Sequence, residues 1–159
     1  VTKHDRSEPP LTELPALSIP EVWESSSSNE MRILGIEQNE LPVVNFSITI
    51  AGGQSLDPKD KLGTSFLMAQ LMNEGTQLKT PQELEEAIGL LGARLSISGN
   101  KEGIVVRGNV LVKNFDASIA LLNEMLLQPR WDQNEFERIK ARRLTSIKQS
   151  KGNANFIVL

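Results

Sequence analysis

Residues 43–50, VVNFSITI, place Val44, Phe46, Ile48 and Ile50 on one side of an extended backbone and Asn45, Ser47 and Thr49 on the other. Successive side chains of a strand point to opposite faces, so this alternation describes a strand with one buried and one wet face. A parallel sheet sandwiched between helix layers would be apolar on both faces, and this strand is not. Residues 94–99 and 103–112 alternate in the same way around the polar turn at 100–102 and read as a hairpin. Upstream, residues 25–30 have turn character and residues 31–37 are extended, which predicts two more strands joined by a turn.

The segments between the strands have helical period. Residues 63–76, GTSFLMAQLMNEGT, predict a helix from about 59 to 74, stopped by Gly75. Thr80-Pro81-Gln82-Glu83 is a capping box with proline at the first helical position, and the helix it starts buries Leu84, Ile88 and Leu91 before Gly92 ends it. A third helix gathers Phe115, Ile119, Leu122 and Leu126 on one face and breaks at Gln128-Pro129. Asp132 to Glu135 cap a fourth, expected to bury Phe136, Ile139, Leu144 and Ile147. The order is three strands, two helices, two strands, two helices. Half-wet strands need helices on one face only, so the expected fold is a two-layer α+β domain with a largely antiparallel sheet.

Residues 1–20 carry four prolines and no sustained period, and read as a linker or wrapping arm. The remaining residues, 21–159, are expected to form a single domain, within the usual size for one core. The closing NANFIVL is apolar and has no helix-stopping signal, which reads as a domain truncated at that end.

Two absences limit the chemistry. The chain has no cysteine and one histidine, His4, which lies in the proline-rich segment. Thiolate chemistry is excluded, and a zinc site or a Ser-His centre built from this chain would lack its usual groups. A net charge of −3 gives no general attraction to nucleic acid, and no apolar run reaches the roughly 20 residues that span a bilayer. The fourth helix is nevertheless basic, with Arg138, Lys140, Arg142, Arg143, Lys148 and Lys151. Without interleaved aromatics this reads as a solvated face, or as cations that meet an acidic substrate or partner surface. Glu83, Glu85 and Glu86 open a helix, where the macrodipole favours carboxylates.

Four stretches, NEMRILGIEQNELPVVNFSITIAGG, GTSFLMAQLMNEGT, TPQELEEAIGLLGARLSIS and QPRWDQNEFERIKARR, resemble the insulinase/pitrilysin metallopeptidases, which include the mitochondrial processing peptidases. They cover most of residues 20–150 in the family's order. In active members the helix between the two Gly-Thr pairs carries His-x-x-Glu-His, two zinc ligands and a general base. By this resemblance Phe66 stands at the first histidine, Ala69 at the glutamate and Gln70 at the second histidine. The third ligand, a glutamate of the long helix, falls near Ser146 or Ile147, and no acidic residue follows Glu137.

The resemblance therefore implies a chain with no catalytic residue, metal ligand or cofactor of its own. It also implies a parent zinc metallopeptidase whose metal sits in another half, with this chain closing the chamber and helping to hold a peptide or unfolded polypeptide. Its implied partners are the other domains or half of the same peptidase, and its implied location is the periplasm or envelope of a bacterium. A non-proteolytic scaffold or assembly subunit of the same fold is the alternative. Gln70 and Asn73, about one turn apart, are candidate amide donors to a peptide backbone.

Overall fold

The computed structural model describes residues 20–151. The proline-rich segment with His4 and the terminal NANFIVL lie outside the described residues. The chain divides into two compact units, residues 1–41 and 42–159.

Within the first unit, strands β1 (Val22–Ser26) and β2 (Arg32–Ile36) form an antiparallel hairpin. Its turn closes by Ser27 N–H donating to the Met31 carbonyl, and Glu30 adopts a left-handed φ of 63°. Opposite Gly35 lies Trp23, whose ring fills the place a Cβ would take, so glycine is required there. Across the strands Glu24 accepts from Arg32 at 2.5 Å, an exposed ion pair that adds little stability.

The second unit holds a three-stranded antiparallel sheet of β3 (Val43–Ala51), β4 (Arg94–Gly99) and β5 (Gly103–Leu111), in the order β3-β5-β4. Its helices are α1 (Thr64–Leu71), α2 (Pro81–Leu90), α3 (Phe115–Leu127) and α4 (Gln133–Lys151). The core joins Ile97, Ile104 and Val106 of the sheet to Ala69, Leu84, Leu121, Leu122 and Met125 of the helices. Asn45, Ser47, Thr49, Arg94, Ser96, Arg107 and Asn109 are exposed on the other sheet face. This is the expected two-layer α+β arrangement.

Several details depart from expectation. Ile50 is 46% exposed rather than buried, because β3 is an edge strand and Ile50 lies near its end. Val105 points to the wet face and is nonetheless 7% exposed. Helix α1 is shorter than expected: Gly63, at φ 94°, ends the preceding turn, and the helix starts at Thr64. The Asp57 carboxylate accepts from the N–H groups of Gly63 at 2.7 Å and Ser65 at 2.9 Å, capping the helix from outside it. On α3 the buried stripe is Ser118, Leu121, Leu122 and Met125, one position round from that expected. On α4 only Ile139 is buried; Leu144 and Ile147 are 50% and 39% exposed.

Other signals hold. The capping box at α2 is complete, with Glu83 N–H donating to Thr80 Oγ1 and Thr80 N–H donating to Glu83 Oε2. Gly75 is required after α1, since at φ 103° an added Cβ would stand 2.6 Å from the Lys79 carbonyl oxygen.

Candidate functional site

Helix α1 is tied to the sheet by the residue just beyond its C-terminal end. There, Asn73 Nδ2 donates to the carbonyls of Ala69 (2.7 Å) and Ile97 (2.8 Å), while Asn73 Oδ1 accepts from the Ile97 N–H at 3.0 Å. Both ends of the amide are occupied, so Asn73 does not offer the free donor to a peptide that its position suggested. At Gly99 the helix backbone comes so close that an added Cβ would lie 2.9 Å from the Ser65 carbonyl oxygen. These contacts orient α1 so that Ala69 turns inward and Phe66 and Gln70 turn toward α4.

The three motif positions consequently separate. Ala69 is 0% exposed and belongs to the core. Phe66 and Gln70 are half-buried and line a cleft of about 250 Å³ together with Ile139, Arg142, Arg143 and Ser146 of α4. Of the two positions expected near the third ligand, Ser146 lines the cleft and Ile147 is not among its lining residues. The Arg143 guanidinium carbon lies 4.4 Å from the Phe66 ring centroid, a cation–π stack.

This donor set does not fit zinc. The cleft presents a phenyl ring, an amide, a hydroxyl and two guanidinium groups, with no imidazole, thiolate or carboxylate. Two permanent cations also disfavour a divalent ion. Among the described residues no three His, Cys, Asp or Glu side chains come together as a metal-binding group.

The basic face of α4 is partly neutralised, which its sequence did not show. Arg138 pairs with Glu74 at 2.8 Å and Glu135 at 2.6 Å, and Lys140 reaches Glu137 at 3.8 Å. The pairs stop before the cleft. Arg142 and Arg143 are in no ion pair among the described residues. Nothing in the sequence marked Arg143 apart from its neighbours; the signal would have been its position four residues after Ile139 and three before Ser146, on the face that lines the cleft, and that requires the helix packing.

A second polar cluster sits away from the cleft. Glu124 of α3 accepts from Lys79 Nζ at 2.8 and 3.0 Å and from the hydroxyl of Thr76, which is 0% exposed. Burial pushes the Glu124 carboxyl up, and the bonds from Lys79 and Thr76 outweigh it, leaving the group below its ordinary value of 4.5. This cluster ties the loop after α1 to α3. No helix among the described residues is long and apolar enough to cross a membrane.

Comparison with known proteins agrees with this fold. Residues 32–157 match the family model for insulinase, peptidase family M16. A non-peptidase homolog, YmxG, of Helicobacter pylori is 26% identical over 121 residues, 76% of this chain and 28% of that protein. A probable mitochondrial-processing peptidase subunit beta of Arabidopsis thaliana is 21% identical over 143 residues, 90% of this chain and 27% of that protein. Among solved structures, a peptidase M16 inactive domain from Pseudomonas fluorescens superimposes with a TM-score of 0.76 at 24% identity, over 83% of this chain and 32% of that one. A protease from Helicobacter pylori gives a TM-score of 0.68 at 13% identity, over 88% and 34%. The chain thus spans between a quarter and about a third of these relatives. It belongs to the insulinase family, peptidase family M16.

Proposed function

We propose that this chain is a non-catalytic domain of an insulinase-type zinc peptidase. It closes the chamber and helps to hold a polypeptide substrate, while zinc and the general base sit in another half of the parent protein. The observation that carries this reading is the Arg143–Phe66 stack. In the family's active pattern a histidine and a metal occupy that place between two helices, and here a cation and an aromatic ring fill it. The exposed polar sheet face supports the substrate-holding part, because it presents side chains able to bond a polypeptide.

The test is hydrolysis of an unstructured polypeptide by the parent protein, by the parent lacking this segment, and by the segment alone. The reading expects chelator-sensitive hydrolysis from the intact parent, a large loss on deletion, and none from the segment. Chelator-sensitive hydrolysis by the segment alone would overturn it. One relative is named as a non-peptidase homolog, which favours a second reading, an assembly or scaffold role without proteolysis. That reading expects no hydrolysis from the parent either.

A further inference from the structure

The α1–α4 cleft has lost the groups that hold a cation and gained groups that hold an anion. Its rim carries the guanidinium groups of Arg142 and Arg143, the amide of Gln70 and the hydroxyl of Ser146. All four can donate hydrogen bonds, and the lining contains no acidic side chain. The acidic residues of this region, Glu74, Glu135 and Glu137, are engaged by Arg138 and Lys140. No Asp or Glu follows Glu137 in the chain, so the last turns of α4 supply no internal anion.

The stack on Phe66 adds the second requirement of a site, a fixed orientation. A free arginine side chain loses rotamer freedom when it captures a ligand. The Arg143 guanidinium carbon stands over the Phe66 ring, 4.4 Å from its centroid, and the ring holds the cation without using up its N–H donors. Those N–H groups match the two oxygens of a carboxylate. Ile139, 1% exposed, forms the apolar floor and limits water on one side.

We infer that this cleft binds a carboxylate of a polypeptide, with Arg143 as the principal donor and Arg142, Gln70 and Ser146 around it. The carboxylate has two sources, the C-terminal group of a peptide or an acidic side chain, and the chemistry of recognition is the same for both. The inference deepens the substrate-holding reading above and rests on it only for the polypeptide nature of the ligand. The position of the lost metal thus becomes a point that selects acidic or C-terminal segments.

The experiment follows Phe66 ring and Gln70 and Arg143 side-chain signals by NMR in the full chain. Three probes are titrated: N-acetylalanine, the α-amide of N-acetylglutamate, and N-acetylalaninamide, which has no carboxylate. Saturable shifts at these residues are expected with at least one of the first two probes and not with the third. Tighter binding of N-acetylalanine assigns the peptide terminus; tighter binding of the glutamate compound assigns an acidic side chain. Arg143→Gln is expected to weaken binding by about tenfold or more, the size of a lost charge-assisted bond. Arg143 is exposed, so the fold should survive; Phe66→Leu, which removes only the stack, is a second variant expected to weaken binding. Equal shifts from the uncharged amide, no saturable shift from either carboxylate, or undiminished binding by folded Arg143→Gln would overturn the inference. An unstructured polypeptide that binds the chain without moving these signals would do the same while leaving the substrate-holding reading intact.

Discussion

The side chain of Asn73 pairs with both backbone groups of Ile97, donating to its carbonyl at 2.8 Å and accepting from its N–H at 3.0 Å. Strand β4 is an edge of its sheet, so Asn73 takes the role that a neighbouring strand would have there. Replacing it by alanine leaves both groups of Ile97 without these partners, beside a side chain that is 2% exposed. Asn73→Ala should cost about 1–3 kcal/mol. Chemical denaturation checks it: the midpoint should fall with the slope unchanged. Asn73→Asp should be at least as costly, because its carboxylate would face the carbonyls of Ala69 and Ile97.

Stability should decline in acid through carboxylates whose folded values lie below their unfolded ones. Glu124 and Glu83 lie below 4.5, and Asp57 and Asp132 below 3.8. Glu83 and Asp57 are lowered chiefly by bonds from the N–H groups of Thr80 and Ser65, and Asp132 by that of Glu135. A depressed carboxyl contributes fully above its unfolded value and loses that contribution as pH falls through its folded value. The melting temperature should therefore be flat above about pH 5 and fall below it. Glu124→Gln should lower the melting temperature at neutral pH and reduce the acid slope, read from thermal unfolding across pH.

The external cap of α1 is a separate test. Asp57 binds two N–H groups that the helix start would otherwise leave unpaired. Asp57→Ala should lower the denaturation midpoint, the direction of a lost cap, measured by denaturant unfolding.

Local pattern was enough for the strands and for α2, because alternation in residues 43–50 and 103–112 and the Thr80–Glu83 box depend on near neighbours. The missing information is long-range. That Ile50 is exposed follows from β3 being an edge strand, and strand order is not written in period 2. The same holds for Leu144 and Ile147, whose apolar spacing was sound while the described residues leave that part of α4 uncovered. At the site, Phe66, Gln70 and Ser146 could be singled out from the family pattern, and they do share one cleft. The stack of Arg143 on Phe66 joins residues 77 apart, by subtraction of their numbers, and no spacing rule reaches that far. Asn73 was misread for the same reason: its partner, Ile97, lies 24 residues on.

Restoring the motif should not restore a peptidase. Phe66→His and Gln70→His put two imidazoles on the cleft, but Ala69 is 0% exposed, and a glutamate there would bring a charge into the core. The triple variant with Ala69→Glu should be destabilised by about 3–5 kcal/mol, as for an unpaired buried charge. The double histidine variant should fold, bind zinc weakly against Arg142 and Arg143, and hydrolyse nothing, even with Ser146→Glu added. Chelator-sensitive hydrolysis of an unstructured peptide by any of these isolated variants would show a self-sufficient catalytic scaffold.

Metal content decides whether a guanidinium has replaced zinc between α1 and α4. The purified chain is loaded with excess zinc, dialysed against metal-free buffer without chelator, and analysed by plasma mass spectrometry. The cleft's donors predict zinc far below one ion per chain, unchanged by Phe66→Ala or Gln70→Ala. One tightly held zinc per chain, reduced by either substitution, would contradict it.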